Sequence, residues 1–283
     1  MISLHRISGF GRVLRHASQP AARRGTAVLV VIFGASTIAS AQLAVDHVEA
    51  TLRPNSRTER EVVIGVRNEG DKSVQAVVRL EDWERKADGT NNWFQFGTRP
   101  GSCGKALTVF PLTMNLEPGA SQSVRVVLDS TYTASAECWA GAVVETVQPV
   151  SKGGQQIGYV LRTAVKLYVQ PVGLQMNGDI TDLKVVDDGS AGAARDSSKQ
   201  MMVEFENSGF RHVVAQGTVE FRRADNSVAA RVALPNVYAL PGARQFVKAM
   251  MPRLEPGKYV MLATYDFGGA EIAAAQIEYE VVR

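Results

Sequence analysis

Apolar residues along this chain recur mostly at every second position. In Glu61–Asn68 they are Val62, Ile64 and Val66, the period of a strand with one face buried. Val74–Trp83 (VQAVVRLEDW) reads the same way, and Ser121–Leu128 (SQSVRVVL) places Val124, Val126 and Leu128 on one face. GAVVETV at 141–147 and GYVLRTAVKLYV at 158–169 continue the series. The C-terminal part predicts six more strands: KQMMVEFEN, VVAQGTVEFRR, VAARVAL, RQFVKAMM, GKYVMLATYDF and AAAQIEYEVV. Helical periodicity is nearly absent. Short strands separated by Asn-x-Gly and Pro-Gly turn chemistry predict an all-β protein built from sandwiches.

A repeated phrase suggests how many. Leu-Glu-Pro-Gly occurs at 116–119 and at 254–257, and an Asn-x-Gly precedes each, at Asn68 and Asn207. The separations are 48 and 47 positions, which suggests one architecture used twice. The expectation is two immunoglobulin-like β-sandwich domains in tandem, 42–170 and 171–283, divided at Gln170-Pro171, where Pro ends a strand ladder. Tyr259, just after the second Leu-Glu-Pro-Gly, suits a tyrosine corner. Asp187–Ser198, rich in Gly, Ala and Ser, reads as a loop inside the second domain.

The N-terminus follows a different pattern. Residues 1–26 hold five arginines and no acid, the apolar run Ala27–Ile38 follows, and Ala39-Ser40-Ala41 supplies small residues for a signal peptidase. Residues 1–41 are expected to be a secretory signal cut before Gln42. The alternative, a membrane anchor, is met by a run of twelve residues where about 20 are needed. Export changes the charge balance: 26 basic against 28 acidic residues remain, so the basic character of the whole chain gives no reason to expect a nucleic-acid partner. It also bears on Cys103 and Cys138, which in an oxidising compartment read as a disulfide, with two buried thiols as the alternative.

Catalytic patterns are missing. There is no Gly-x-Ser-x-Gly, His-Glu-x-x-His, phosphate loop or Cys-x-x-Cys, and beyond residue 41 only His47 and His212 remain. No metal site, cofactor or small-molecule substrate is expected. The adjacent acids Glu81-Asp82 and Asp187-Asp188 read as surface charge, and Trp83, Trp93 and Trp139 as core. The chain is expected to be a binding or structural protein and not an enzyme.

Two stretches, VRNEGDKSVQAVVRLEDW and FPLTMNLEPGASQSVRVVL, together with TAVKLYVQP at 163–171, resemble periplasmic pilus-assembly chaperones of the PapD type over about Leu43–Pro171. The second domain resembles the family only in being a sandwich. The resemblance implies a periplasmic chaperone that lends a strand to a pilus or surface-fibre subunit, with a pilin-like protein client and an outer-membrane usher as partners. Carried over, Lys166 becomes the residue that grips the client's C-terminal carboxylate, and Ile157, Tyr159 and Leu161 the donor side chains. The family also places an Arg in its first strand. Here the nearest slots hold Glu49, Ala50 and Thr51, with Arg53 displaced from them. The run between Glu145 and Lys166 implies a modest donor segment. The alternative is a non-catalytic envelope adhesion or scaffolding protein with two sandwich domains.

Overall fold

The structure is a computed structural model that describes residues 43–152, 155–187 and 199–282, with the side chains of 148–157 outside the description. The expected signal (1–41) and most of the 187–198 loop lie outside the described residues.

Seventeen strands are present among the described residues. The first ten are β1 (Leu43–Val45), β2 (Glu49–Leu52), β3 (Glu61–Asn68), β4 (Val74–Arg85), β5 (Asn91–Gln95), β6 (Leu107–Phe110), β7 (Thr113–Leu116), β8 (Ser121–Leu128), β9 (Cys138–Lys152) and β10 (Gln155–Val169). They form one sheet in the order β1-β3-β8-β6 and another in the order β2-β10-β9-β4-β5, with β7 also on β4. The remaining strands are β11 (Gly178–Asp187), β12 (Lys199–Asn207), β13 (Val213–Arg222), β14 (Val228–Ala239), β15 (Arg244–Met250), β16 (Gly257–Asp266) and β17 (Ala273–Val281). These make the sheets β11-β12-β15 and β14-β13-β16-β17. The chain is thus all-β, with two sandwiches in tandem.

Each sandwich has its own core. Ile64, Val66, Val124, Val126 and Leu128 close on Val165, Leu167 and Val169 in the first; Val203, Phe205, Val219, Phe221 and Met261 fill the second. The every-second-residue pattern of β3 and β8 is the inward face of these sheets, as the alternation predicts. The predicted limits of β12 coincide with those observed. Strand β11 was not predicted, because its pattern is mostly half-exposed and only Leu183 is buried.

The repeat is real, but its alignment differs from the one the sequence suggests. Asn68 and Asn207 are both fully buried and bond alike. Each side-chain amide donates to the carbonyl four residues on, Lys72 or Arg211, and each Oδ1 accepts the N–H two residues on, from Gly70 or Gly209. Each amide also reaches the end of a neighbouring strand, Leu116 for Asn68 but Ala239 for Asn207, and Gly119 or Gly242 donates back to the Asn carbonyl. The structural counterpart of Leu116-Glu-Pro-Gly119 is therefore Ala239-Leu-Pro-Gly242, and the matched spacing to the second Leu-Glu-Pro-Gly is coincidence. Gly119 and Gly242 share a positive φ, 74° and 73°, which only glycine adopts without strain. The second Leu-Glu-Pro-Gly leads into β16, where the Tyr259 hydroxyl donates to the Glu255 carbonyl at 2.8 Å. That is the expected tyrosine corner.

Candidate functional site

Strand β10 carries the candidate site. It pairs with β9 along its whole length, but with β2 only from Lys166 to Val169. Among the described residues no strand pairs with its outer edge ahead of Lys166. The Lys166 N–H donates to the Val48 carbonyl at 3.0 Å, and the Gln170 N–H to Leu52 at 2.8 Å, so even-numbered backbone groups face β2. Backbone direction alternates along a strand, so the N–H and C=O groups of Val160, Arg162 and Ala164 face the open edge. The sequence implied a modest donor segment; the β9–β10 hairpin instead has two strands of 15 residues.

The two faces of β10 differ. On one, Val165, Leu167 and Val169 are buried in the core, and the same face continues outward through Thr163 to Leu161, 42 % exposed, and Tyr159, 52 % exposed. Apolar side chains that would be core in a longer sandwich therefore stand beside an unpaired edge. Ile157 lies two residues further out and pairs in register with Val150; its side chain lies outside the described residues.

The other face carries Arg162, Lys166 and Tyr168. Arg162 donates across β9 to Glu81 on β4. Arg79 donates to Glu81 at 2.7 Å and to Glu145 at 2.6 Å. The bond from Arg79 holds the Glu145 carboxyl below the usual carboxylate range, despite burial acting the other way. This network ties the open strand to the two behind it. It also corrects the reading of Glu81-Asp82 as surface charge. Both are buried: Glu81 joins the network, and Asp82, on the opposite side of β4, accepts the N–H groups of Thr98 and Arg99 and the Ser102 hydroxyl. Strand neighbours do point apart, but here each side offers donors.

Lys166 opens onto a cleft between the sandwiches. Its ammonium lies 5.2 Å from the Trp83 ring centre, and half-burial, with a smaller contribution from nearby Arg85, lowers its pKa. Gly141 lies beside Lys166 in register, and a Cβ there would come within 2.3 Å of the Trp93 ring, so only glycine lets that indole lie across the sheet. Trp83 and Trp139 are buried, as expected, but not in the sandwich core. With Tyr168 and Leu240 they form a separate cluster at the junction, cross-bonded by Trp83 Nε1 to the Ala140 carbonyl and Trp139 Nε1 to the Trp83 carbonyl.

The junction is held by Glu137, whose side chain has no exposed surface. It accepts bonds from the Gln170 amide at 3.1 Å and from the His212 backbone N–H, and its Oε1 lies 2.7 Å from His212 Nδ1. The His212 ring stacks on Tyr168 at 3.9 Å. Neither Glu137 nor His212 is singled out by the sequence.

Glu49 is level with Lys166 on β2. Arg53 lies four residues along, about 13 Å of strand rise, and pairs with Glu59 at 3.4 Å. The structure thus brings Lys166 and Glu49 together and leaves Arg53 apart from them. Among the described residues no group of three or more His, Cys, Asp or Glu side chains is placed to hold a metal.

Cys103 and Cys138 are joined by a disulfide, Cα–Cα 5.0 Å, which fastens the 97–106 loop to the first residue of β9, directly beside Glu137. Closing 35 residues of chain stabilises the fold by about 3–4 kcal/mol in the loop-entropy description. Denaturant unfolding with and without reductant is expected to show a loss of that order; an unchanged midpoint would refute it.

The fold and site define a two-sandwich, all-β protein with an exposed edge strand leading into a charged cleft. Residues 52–175 match the family model described as "Pili and flagellar-assembly chaperone, PapD N-terminal domain". Through its first sandwich the chain is similar to that family, which is one of assembly chaperones and not of enzymes. Among solved structures, the chain is similar to the class 5 fimbriae chaperone CfaA, with 13 % identity and a TM-score of 0.47 over 85 % of this chain and 99 % of that one. It is also similar to a chain of the CsuC–CsuE chaperone–tip adhesion subunit pre-assembly complex from Acinetobacter baumannii, with 12 % identity and a TM-score of 0.45 over 84 % and 98 %. The Escherichia coli chaperone DraB gives 15 % and 0.41 over 85 % and 96 %. No curated protein matches the chain.

Proposed function

We propose that this chain is a periplasmic chaperone that completes a pilus or surface-fibre subunit by lending it β10. One observation carries the reading: the core-facing row of β10 runs past the end of its own sandwich, leaving Tyr159 and Leu161 exposed beside an unpaired edge. A long apolar edge strand is an aggregation liability that proteins ordinarily blunt. A client lacking a strand turns it to use: main-chain bonds along the edge supply affinity, and alternate side chains fill the client's groove. Ile157 extends the donor row in this proposal. Lys166, half-buried and in no ion pair among the described residues, receives the client's terminal carboxylate. Residues 1–41 direct export, and an outer-membrane usher takes up the loaded complex.

The test is recovery of periplasmic subunits with the tagged protein. Lys166→Ala removes one charge-assisted bond and is expected to weaken the complex by about 1.5–3 kcal/mol, with the melt of the free protein little changed. A chain that retains no subunit under any condition, yet binds an envelope surface, would favour the adhesion or scaffolding reading instead.

A further inference from the structure

The tip of the β4–β5 hairpin, residues 86–90, reaches the second sandwich. There the Phe246 N–H of β15 donates to the Ala87 carbonyl at 2.9 Å. Beside that bond lies an open pocket of about 370 Å³, walled by the hairpin at Arg85, Asp88 and Gly89, by β14 at Pro235 and Asn236, and by β15 from Gln245 to Lys248. Pro235 and Asn236 stand opposite a single residue of β13, Gln216, so β14 is bulged where it lines the pocket. No residue of β10 takes part.

Its donors stand out. Among the described residues four buried side-chain nitrogens have no hydrogen-bond partner, and two of the four, Gln245 Nε2 and Arg85 Nε, belong to this pocket. Such groups are rare in native structures, because each gives up water and gains no bond in return. Gln245 is 3 % exposed. Tyr238 sets the direction of its amide: the Tyr238 backbone N–H donates to Gln245 Oε1 at 3.3 Å, and turning the amide over would set donor against donor. Nε2 is thereby left at the pocket without an acceptor. Lys248 is exposed on the rim and forms no ion pair among the described residues. The lining carboxylate, Asp88, already accepts the Thr90 N–H and hydroxyl, at 2.9 and 2.7 Å. Two cations and an orphaned amide thus face one engaged acid. A water molecule would bring two protons of its own to a pocket that already has donors to spare; a ligand made only of acceptors suits it better.

We propose that this pocket is a site for a small tetrahedral oxyanion of the phosphate or sulfate class, held by Gln245, Lys248 and Arg85, and that the bound anion fastens the hairpin of the first sandwich to β15 of the second. Such an anion is all acceptor and has oxygens enough for donors on both walls. The proposal goes beyond the strand-lending reading: it needs no client and uses no group of the open edge.

The probe is inorganic phosphate, compared with sulfate and acetate at constant ionic strength made up with chloride. Phosphate and sulfate are expected to raise the melt of the full chain in a saturable way and to slow amide exchange at Phe246, whose N–H is held by the hairpin. Lys248→Ala, at an exposed position, and Gln245→Leu should each weaken phosphate binding about 10-fold or more; Lys248→Ala decides the matter if Gln245→Leu does not fold. Gln245→Glu is the sharper variant. One of its oxygens still accepts the Tyr238 N–H, while the other brings a negative charge into the pocket. It is expected to melt no lower than wild type without phosphate and to gain nothing when phosphate is added. In a pocket that holds only water, the buried carboxylate would lower the melt instead, and phosphate would act on wild type and Lys248→Ala alike; either result overturns the proposal. A wild type that does not respond to phosphate overturns it too. Acetate acting as strongly as phosphate overturns the assignment of a tetrahedral anion.

Discussion

Leu161→Arg is expected to abolish recovery of client subunits while leaving the melt of the free protein unchanged. Leu161 stands on the core-facing row of β10, but beyond the packed sandwich. In the free protein Leu161 is 42 % exposed and outside the core cluster, so an arginine there reaches water, and surface substitutions of this kind cost about 0.5 kcal/mol or less. In a complex the same position closes against an apolar groove. An unpaired guanidinium there costs several kcal/mol, enough to lower affinity by two orders of magnitude or more. Tyr159→Arg should act in the same direction. Recovery of clients at wild-type levels would sink the strand-lending reading. A collapsed melt would show instead that Leu161 supports the free fold.

Glu137→Ala is expected to be the most damaging single change at the junction. The carboxylate is wholly enclosed and serves three groups: the Gln170 amide from the end of β10, and the backbone N–H and ring of His212 from the second sandwich. Alanine leaves all three without a partner, and removing one member of a buried charged constellation costs about 3–5 kcal/mol. Glutamine keeps the shape and part of the bonding and should cost less. The measurement is amide hydrogen exchange at His212, whose N–H is held by Glu137 itself. The alanine variant should exchange much faster there than wild type, while amides of β3 and β8, which sit in the first core, change little. Unaltered protection at His212 would show that the junction is held by the aromatic cluster and not by this carboxylate. The site depends on the outcome, because the cleft has one wall from each sandwich: Lys166 and Trp83 from the first, Tyr238 and Val214 from the second.

Alternation was enough to find most strands. A half-buried strand writes its apolar residues at period two, and in β3, β8 and β12 the buried positions follow that rule. It missed β1, β2, β5, β6 and β7, which have three to five residues, too few for a period to show, and β11, where burial is slight. The turn chemistry was legible too, since Asn68, Asn207 and the glycines of the Pro-Gly turns act locally.

What the chain alone could determine was therefore local: strand faces, turn residues, the tyrosine corner, and through resemblance the place of Lys166. The tertiary structure decided everything that depended on distant partners. It moved the repeat from Leu254–Gly257 to Ala239–Gly242, because the bond that defines it crosses between strands. It turned Glu81 and Asp82 from surface charge into buried groups, because Arg79, Arg162 and the 97–102 loop converge on them. It took Trp83 and Trp139 out of the sandwich core and into a separate cluster at the junction, with Trp93 half-buried against it. It showed Arg85, which in the sequence is one more charge in LEDWERKADG, to be a cation resting on an aromatic ring from the other sandwich. Periodicity records which way a side chain faces; burial, pairing and charge at a junction depend on residues that folding brings from far along the chain, as with Glu137 and His212, 75 positions apart, or Arg85 and Tyr238.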